Sequence, residues 1–97
     1  MKKNKIIEIE EHNYKPAPII IAVEYIKDYV IKVVFKDGVI KIANLKAFFI
    51  PPENKLLEKY STIEMFKTFH LSDDNIITWG DNEVDINPDR IYNGEFE

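Results

Sequence analysis

Tyr29-Val30-Ile31-Lys32-Val33-Val34-Phe35-Lys36-Asp37-Gly38-Val39-Ile40-Lys41-Ile42 is the stretch whose reading decides the fold. β-branched and aromatic residues fill both flanks, and Asp37-Gly38 between them tolerates positive φ, so the stretch predicts an antiparallel hairpin. A two-residue loop pairs Lys36 with Val39, Phe35 with Ile40, Val34 with Lys41 and Val33 with Ile42. This register gathers Ile31, Val33, Phe35, Ile40 and Ile42 on a core face. Val30, Lys32, Val34, Lys36, Val39 and Lys41 fall on the other face, which is expected to be wet or partly covered.

Upstream, Ile19-Ile20-Ile21-Ala22-Val23-Glu24-Tyr25 reads as another strand, joined to the hairpin through a turn at Lys27-Asp28. Pro16-Ala17-Pro18 breaks any regular element before it. Residues 1–17 are therefore read as an N-terminal arm or edge strand around Ile6-Ile7-Glu8-Ile9, and residues 18–97 as a single α+β domain.

Downstream, Asn44 caps a short helical turn over Leu45–Phe49, which Pro51-Pro52 ends. Helix potential resumes over Glu53–Tyr60, and Ser61-Thr62-Ile63-Glu64 has the form of a capping box. Phe69, Leu71, Ile76, Ile77, Trp79 and Val84-Asp85-Ile86 supply two or three further strands. Asn87-Pro88-Asp89 starts a last turn of helix that Gly94 stops. The fold class expected is α+β, a small and mostly antiparallel sheet built from hairpins with short helices.

Composition excludes more than it proposes. Ninety-seven residues, 45% of them hydrophobic, suit one core. With no cysteine there is no disulfide, thiolate metal site or thiol nucleophile. The basic start Met1-Lys2-Lys3-Asn4-Lys5 leads into no signal-peptide apolar core, because Glu8, Glu10 and Glu11 interrupt it, so a cytoplasmic location is expected. No run reaches the roughly 18 apolar residues of a membrane span. A net charge of −4 opposes sequence-independent binding to nucleic acid.

Asp81, Glu83, Asp85, Asn87 and Asp89 alternate like the oxygen ladder of a calcium loop. Positions six and twelve of such a loop, counted from Asp81, hold Ile86 and Tyr92 rather than glycine and glutamate, so no metal site is assigned. His12 and His70 are the only histidines. His70-Leu71-Ser72-Asp73 lacks the convergence from separate elements that a triad needs. Gly38, Gly80 and Gly94 are isolated and make no phosphate cradle. No catalytic, cofactor-binding or metal-ligating residue is assigned, and no cofactor is expected.

Pro18-Ile19, the run Asp28–Gly38, Asn44-Leu45, Phe66, Ile77-Thr78-Trp79 and Val84-Asp85-Ile86-Asn87-Pro88-Asp89-Arg90-Ile91-Tyr92 together resemble the bacterial domain-of-unknown-function family 2442 over about residues 18–93. The resemblance implies a small α+β fold of the kind called nitrosomonad-protein N-terminal-domain-like, without an assigned activity. It also implies a second small protein beside it, an arrangement similar to toxin and antitoxin pairs. The chain departs from the family pattern at Gly80-Asp81-Asn82-Glu83 and in a longer Pro51–Tyr60 stretch.

The functional expectation is a non-enzymatic interaction module, antitoxin-like or regulatory, whose partner is another small protein. The alternatives are a nucleic-acid-binding or transcription accessory domain using the stripe Lys2, Lys3, Lys5, Lys32, Lys36 and Lys41, and an unrecognised enzyme. The interface candidates are Lys32, Lys36 and Lys41 on the lysine-bearing sheet face, with Trp79 and Tyr92 as aromatic anchors. A homodimer through the edge strand near residues 6–9 is a further expectation.

Overall fold

The computed structural model describes residues 17–97, so the expectations about the arm, including His12 and the edge strand, lie outside the described residues. Within them a meander of three strands, β1 (Ile20–Lys27), β2 (Val30–Phe35) and β3 (Ile40–Asn44), forms one antiparallel sheet in the order β1-β2-β3. Three short helices follow: α1 (Lys46–Phe49), α2 (Lys55–Lys59) and α3 (Ile63–Phe66). A second antiparallel sheet, β4 (His70–Leu71), β5 (Ile77–Trp79) and β6 (Val84–Ile86), precedes the last helix, α4 (Pro88–Tyr92). The described residues form a single α+β domain, with two small sheets where the sequence suggested one.

The central hairpin forms where expected but in another register. Its loop holds three residues, Lys36-Asp37-Gly38: Gly38 N–H donates to Phe35 O at 2.9 Å and Phe35 N–H to Val39 O at 2.8 Å. Gly38 has φ +94°, whereas Asp37 stays out of the positive region that a two-residue type I′ loop would demand at both central positions. Val34 therefore pairs with Ile40, Val33 with Lys41, Lys32 with Ile42 and Ile31 with Ala43. Because side chains alternate, this one-residue slip turns all of β3 over. Ala43 is buried, while Ile40 and Ile42, expected in the core, are 55% and 51% exposed.

Contacts at both ends of β3 hold this register. At the loop, Asp37 Oδ1 accepts from Val39 N–H at 3.0 Å, and at the far end Leu45, fully buried, donates its N–H to Tyr29 O at 2.8 Å. The expected inward residues of β2, Ile31, Val33 and Phe35, are buried, joined by Ile20 from β1. β1 carries a bulge between Ile20 and Ala22, and its Lys27 pairs with Val30 around Asp28 at φ +47°.

Side-chain caps set the helix starts. Asn54 Oδ1 accepts from Leu57 N–H, and Thr62 Oγ1 from Met65 N–H, one residue beyond the Ser61 expected as cap. Asn87 caps α4 with Pro88 in its first turn, as the sequence indicates. The core lies where the inner face of the first sheet, the second sheet and the helices converge. At its centre Trp79 meets Phe49 at 5.0 Å and Phe66 at 5.9 Å between ring centroids, and Tyr29 meets Phe66 at 5.2 Å.

Candidate interaction surface

The outer face of the first sheet is built by the register just described. Ala22, Val34 and Ile40 form one row across the three strands, and Glu24, Lys32 and Ile42 form the next. Ile21, the extra residue of the β1 bulge, is 54% exposed beside them. The surface is thus an apolar patch of short and branched side chains crossed by a single row bearing one acid and one base. Exposed isoleucines gathered in this way, unlike scattered ones, mark surfaces that associate.

The five candidate interface residues part company here. Lys32 lies on the outer face between Glu24 and Ile42, and Lys36 is exposed in the hairpin loop. Lys41 belongs to the opposite face, together with Val39, and its Nζ lies 3.1 Å from Glu97. The expected face of Val30, Lys32, Val34, Lys36, Val39 and Lys41 is therefore divided, and Ile40 and Ile42 take the places of Val39 and Lys41. Trp79 is fully buried and donates its indole N–H to Phe66 O at 2.8 Å. Tyr92 is half-buried, edge-on to Phe35 at 4.9 Å, and donates its hydroxyl to Asp37 Oδ2 at 2.6 Å.

Two further polar clusters are structural pairs. The Tyr60 hydroxyl donates to Glu83 Oε1 at 2.5 Å and Lys59 Nζ reaches the same oxygen at 3.1 Å. Those two donors, Tyr60 first, hold the Glu83 carboxyl below the usual carboxylate range. Arg90 and Glu95 form a two-pronged ion pair in which Nε contacts both carboxylate oxygens at 3.0 Å.

Of the acidic ladder, Asp81 lies in a turn, Asp85 in β6, and Asn87 and Asp89 start α4. Asp85 and Asp89 instead line, with Asp73, Asp74, Ile19 and Ile76, an open groove of about 730 Å³. Among the described residues no three His, Asp or Glu side chains converge as metal ligands. His70 is exposed at the sheet edge, paired with Thr78 in the ladder, and Ser72 Oγ accepts from Asp74 N–H at 3.2 Å and Ile76 N–H at 3.3 Å. The hydroxyl of Thr78, 1% exposed, has no hydrogen-bond partner among the described residues.

Sequence reasoning missed the isoleucine face because a two-residue loop at Asp37-Gly38 set the register that assigned Ile40 and Ile42 to the core. The available signal was Gly38 itself, since a three-residue loop with glycine last is the next commonest hairpin connection. No described helix is long and apolar enough to cross a membrane.

No curated protein and no solved structure matches this chain. The model of one family, described as "Protein of unknown function (DUF2442)", matches residues 20–97, from the first residue of β1 through every element described above. With its three-stranded meander, its tryptophan strand and its Asn-Pro-capped last helix inside that match, the chain belongs to the DUF2442 family.

Proposed function

We propose that this chain is a non-catalytic protein-interaction module whose outer sheet face receives another small protein, in the manner of an antitoxin or a regulatory subunit. The observation that carries the reading is the exposure of Ile21, Ile40 and Ile42 around Ala22 and Val34 on one sheet face. Large side chains there cost solvation unless something covers them. The net charge of −4 favours a basic partner, which long-range attraction would bring to the chain faster than a neutral one. The lysine stripe of the nucleic-acid reading is weakened as support, since Lys41 and Lys32 occupy opposite faces.

The test is capture from nuclease-treated lysate of the native host at moderate salt, using the tagged chain and an Ile40→Lys/Ile42→Lys variant side by side. The reading expects one small basic protein in stoichiometric amount on the parent chain and its loss from the variant, with the variant's unfolding midpoint unchanged. Equal retention by both chains, or retention by neither, overturns it.

A further inference from the structure

Ile40 and Ile42 turn their backbone groups, as well as their side chains, away from the fold. Phe35 N–H donates to Val39 O and Leu45 N–H to Tyr29 O, so the odd-numbered residues of β3 exchange hydrogen bonds with β2. Even-numbered residues then point their N–H and C=O at the outer edge of the sheet. Asn44 N–H is met there by Phe96 O at 2.8 Å. Among the described residues nothing meets the N–H and C=O of Ile40 and Ile42. A strand edge with open groups and apolar side chains is a template for one more strand.

This edge is complementary to itself. We propose that β3 pairs antiparallel with β3 of a second copy of this chain, about a twofold axis at Lys41, so that Ile40 of each copy lies opposite Ile42 of the other. Each Ile40 then exchanges both backbone hydrogen bonds with the partner's Ile42, and every open group of the two residues is satisfied.

The neighbouring registers lack that match. Sliding two residues one way sets Ile40 opposite the partner's Asn44, whose N–H is already given to Phe96 O. Sliding two residues the other way sets Ile42 opposite the partner's Gly38, in the hairpin loop at φ +94°.

Side chains agree with the backbone. The twofold stands perpendicular to the sheet, so both outer faces lie on one side, and the row Ala22-Val34-Ile40 continues into the partner's Ile42-Lys32-Glu24. Ile40 and the partner's Ile42 cover one another, a branched cross-strand pair that sheets favour. On the inner face the two copies of Lys41 meet at the axis, and each has Glu97 3.1 Å from its Nζ, so two acids offset the two bases. The Phe96 contact at Asn44 confines the ladder to Ile40–Ile42. So short a ladder buries less than the roughly 1,200 Å² of a standard interface, and the dimer is weak. It needs no other protein, and it doubles the apolar outer face.

Sedimentation up to about 1 mM, a range suited to a weak interface, tests it together with amide hydrogen exchange by NMR. Mass should rise toward two chains with concentration, and the Ile40 and Ile42 amides should slow with it. Ile42→Pro should stay monomeric while the Val33 amide keeps its rate, because the N–H it removes is not given to β2. The chain has no cysteine, so one introduced thiol reports one position. Opposed Cα atoms of a non-hydrogen-bonded antiparallel pair lie about 4.5 Å apart, within a disulfide's span. Lys41→Cys should therefore oxidise to a linked dimer, and Lys32→Cys, on β2, at least about tenfold more slowly. A mass of one chain at every concentration overturns the inference, as does equal linking of the two thiol variants or a dimer that survives Ile42→Pro. Slow exchange of Ile40 and Ile42 at monomer mass overturns it too, since the same molecule would then cover the edge. No other protein is present in these measurements, so this proposal and the capture experiment fail separately.

Discussion

The hydroxyl of Tyr92, in α4, donates to Oδ2 of Asp37 at 2.6 Å and so ties the end of the chain to the loop of the central hairpin. Asp37 also accepts from Val39 N–H. The Tyr92 bond first, and the Val39 bond second, hold the Asp37 carboxyl below its ordinary range, while the same carboxylate pushes the Tyr92 phenol up. A lowered folded-state carboxyl stabilises the fold above its unfolded pKa of about 3.9, and that stability is lost as pH falls through the folded value. A raised phenol stabilises below about 10, and that stability is lost as pH rises through its folded value. Tyr92→Phe should therefore unfold at a lower temperature than the parent across neutral pH, with the gap closing in acid and in strong base. Thermal melts from pH 2 to 11 check this.

Two glycines separate strain from collision. Gly38 at φ +94° has open space where a Cβ would project, whereas Gly80 at φ +67° would place one 2.2 Å from the Tyr60 hydroxyl and 2.8 Å from Glu83 Oε1. Gly38→Ala should cost only the backbone term, about 1–2 kcal/mol. Gly80→Ala must also break the Tyr60–Glu83 hydrogen bond, and should lower stability by more than Gly38→Ala does. Urea denaturation of the two variants in parallel gives the difference.

Thr78→Val should leave stability unchanged or raise it by about 1 kcal/mol, because it replaces a buried hydroxyl that has no partner among the described residues with a methyl of the same shape. For a domain this size that gain is a rise of about 4–8 °C in unfolding midpoint. A fall of that size would mean that the hydroxyl is satisfied in solution.

Neighbouring substitutions in β3 test its register. Ile42→Lys, on the outer face, should change stability by less than about 0.5 kcal/mol. Ala43→Lys, one residue further, would bury an unpaired ammonium and should cost about 3–5 kcal/mol or prevent folding. Had the loop held two residues, the two outcomes would be exchanged. Circular dichroism melts suffice.

Strands 19–25 and 29–35 are legible in the sequence because β-branched residues and a turn agree there, and α4 because Asn87, Pro88 and Gly94 each carry a separate stop or start signal. The capping residue of α3 is off by one, since Ser61 and Thr62 offer equivalent oxygens and only the fold selects Thr62, leaving Ser61 Oγ to donate to Glu58 O. The division into two sheets is not legible: β4 is two residues long, and which strands it joins depends on contacts such as Asn75 Nδ2 to Ile20 O, 55 positions away in the chain. The candidate surface was half legible. Lys32 and Val34 were placed on the outer face, but Ile40 and Ile42 were not, because the deciding quantity is the φ of Asp37 rather than the polarity of any β3 residue.

Three residues between Phe35 and Val39 act on β3 as a reading frame acts on a message. A substitution within the strand alters one side chain, whereas the loss of one residue from Lys36–Gly38 would turn Ile40 and Ile42 inward, expel Ala43 and move Lys41 to the opposite side. Composition of the strand would be untouched and its meaning reversed. Length at this turn, more than any residue in β3, therefore governs what the sheet displays, and an insertion or deletion there is a structural frameshift.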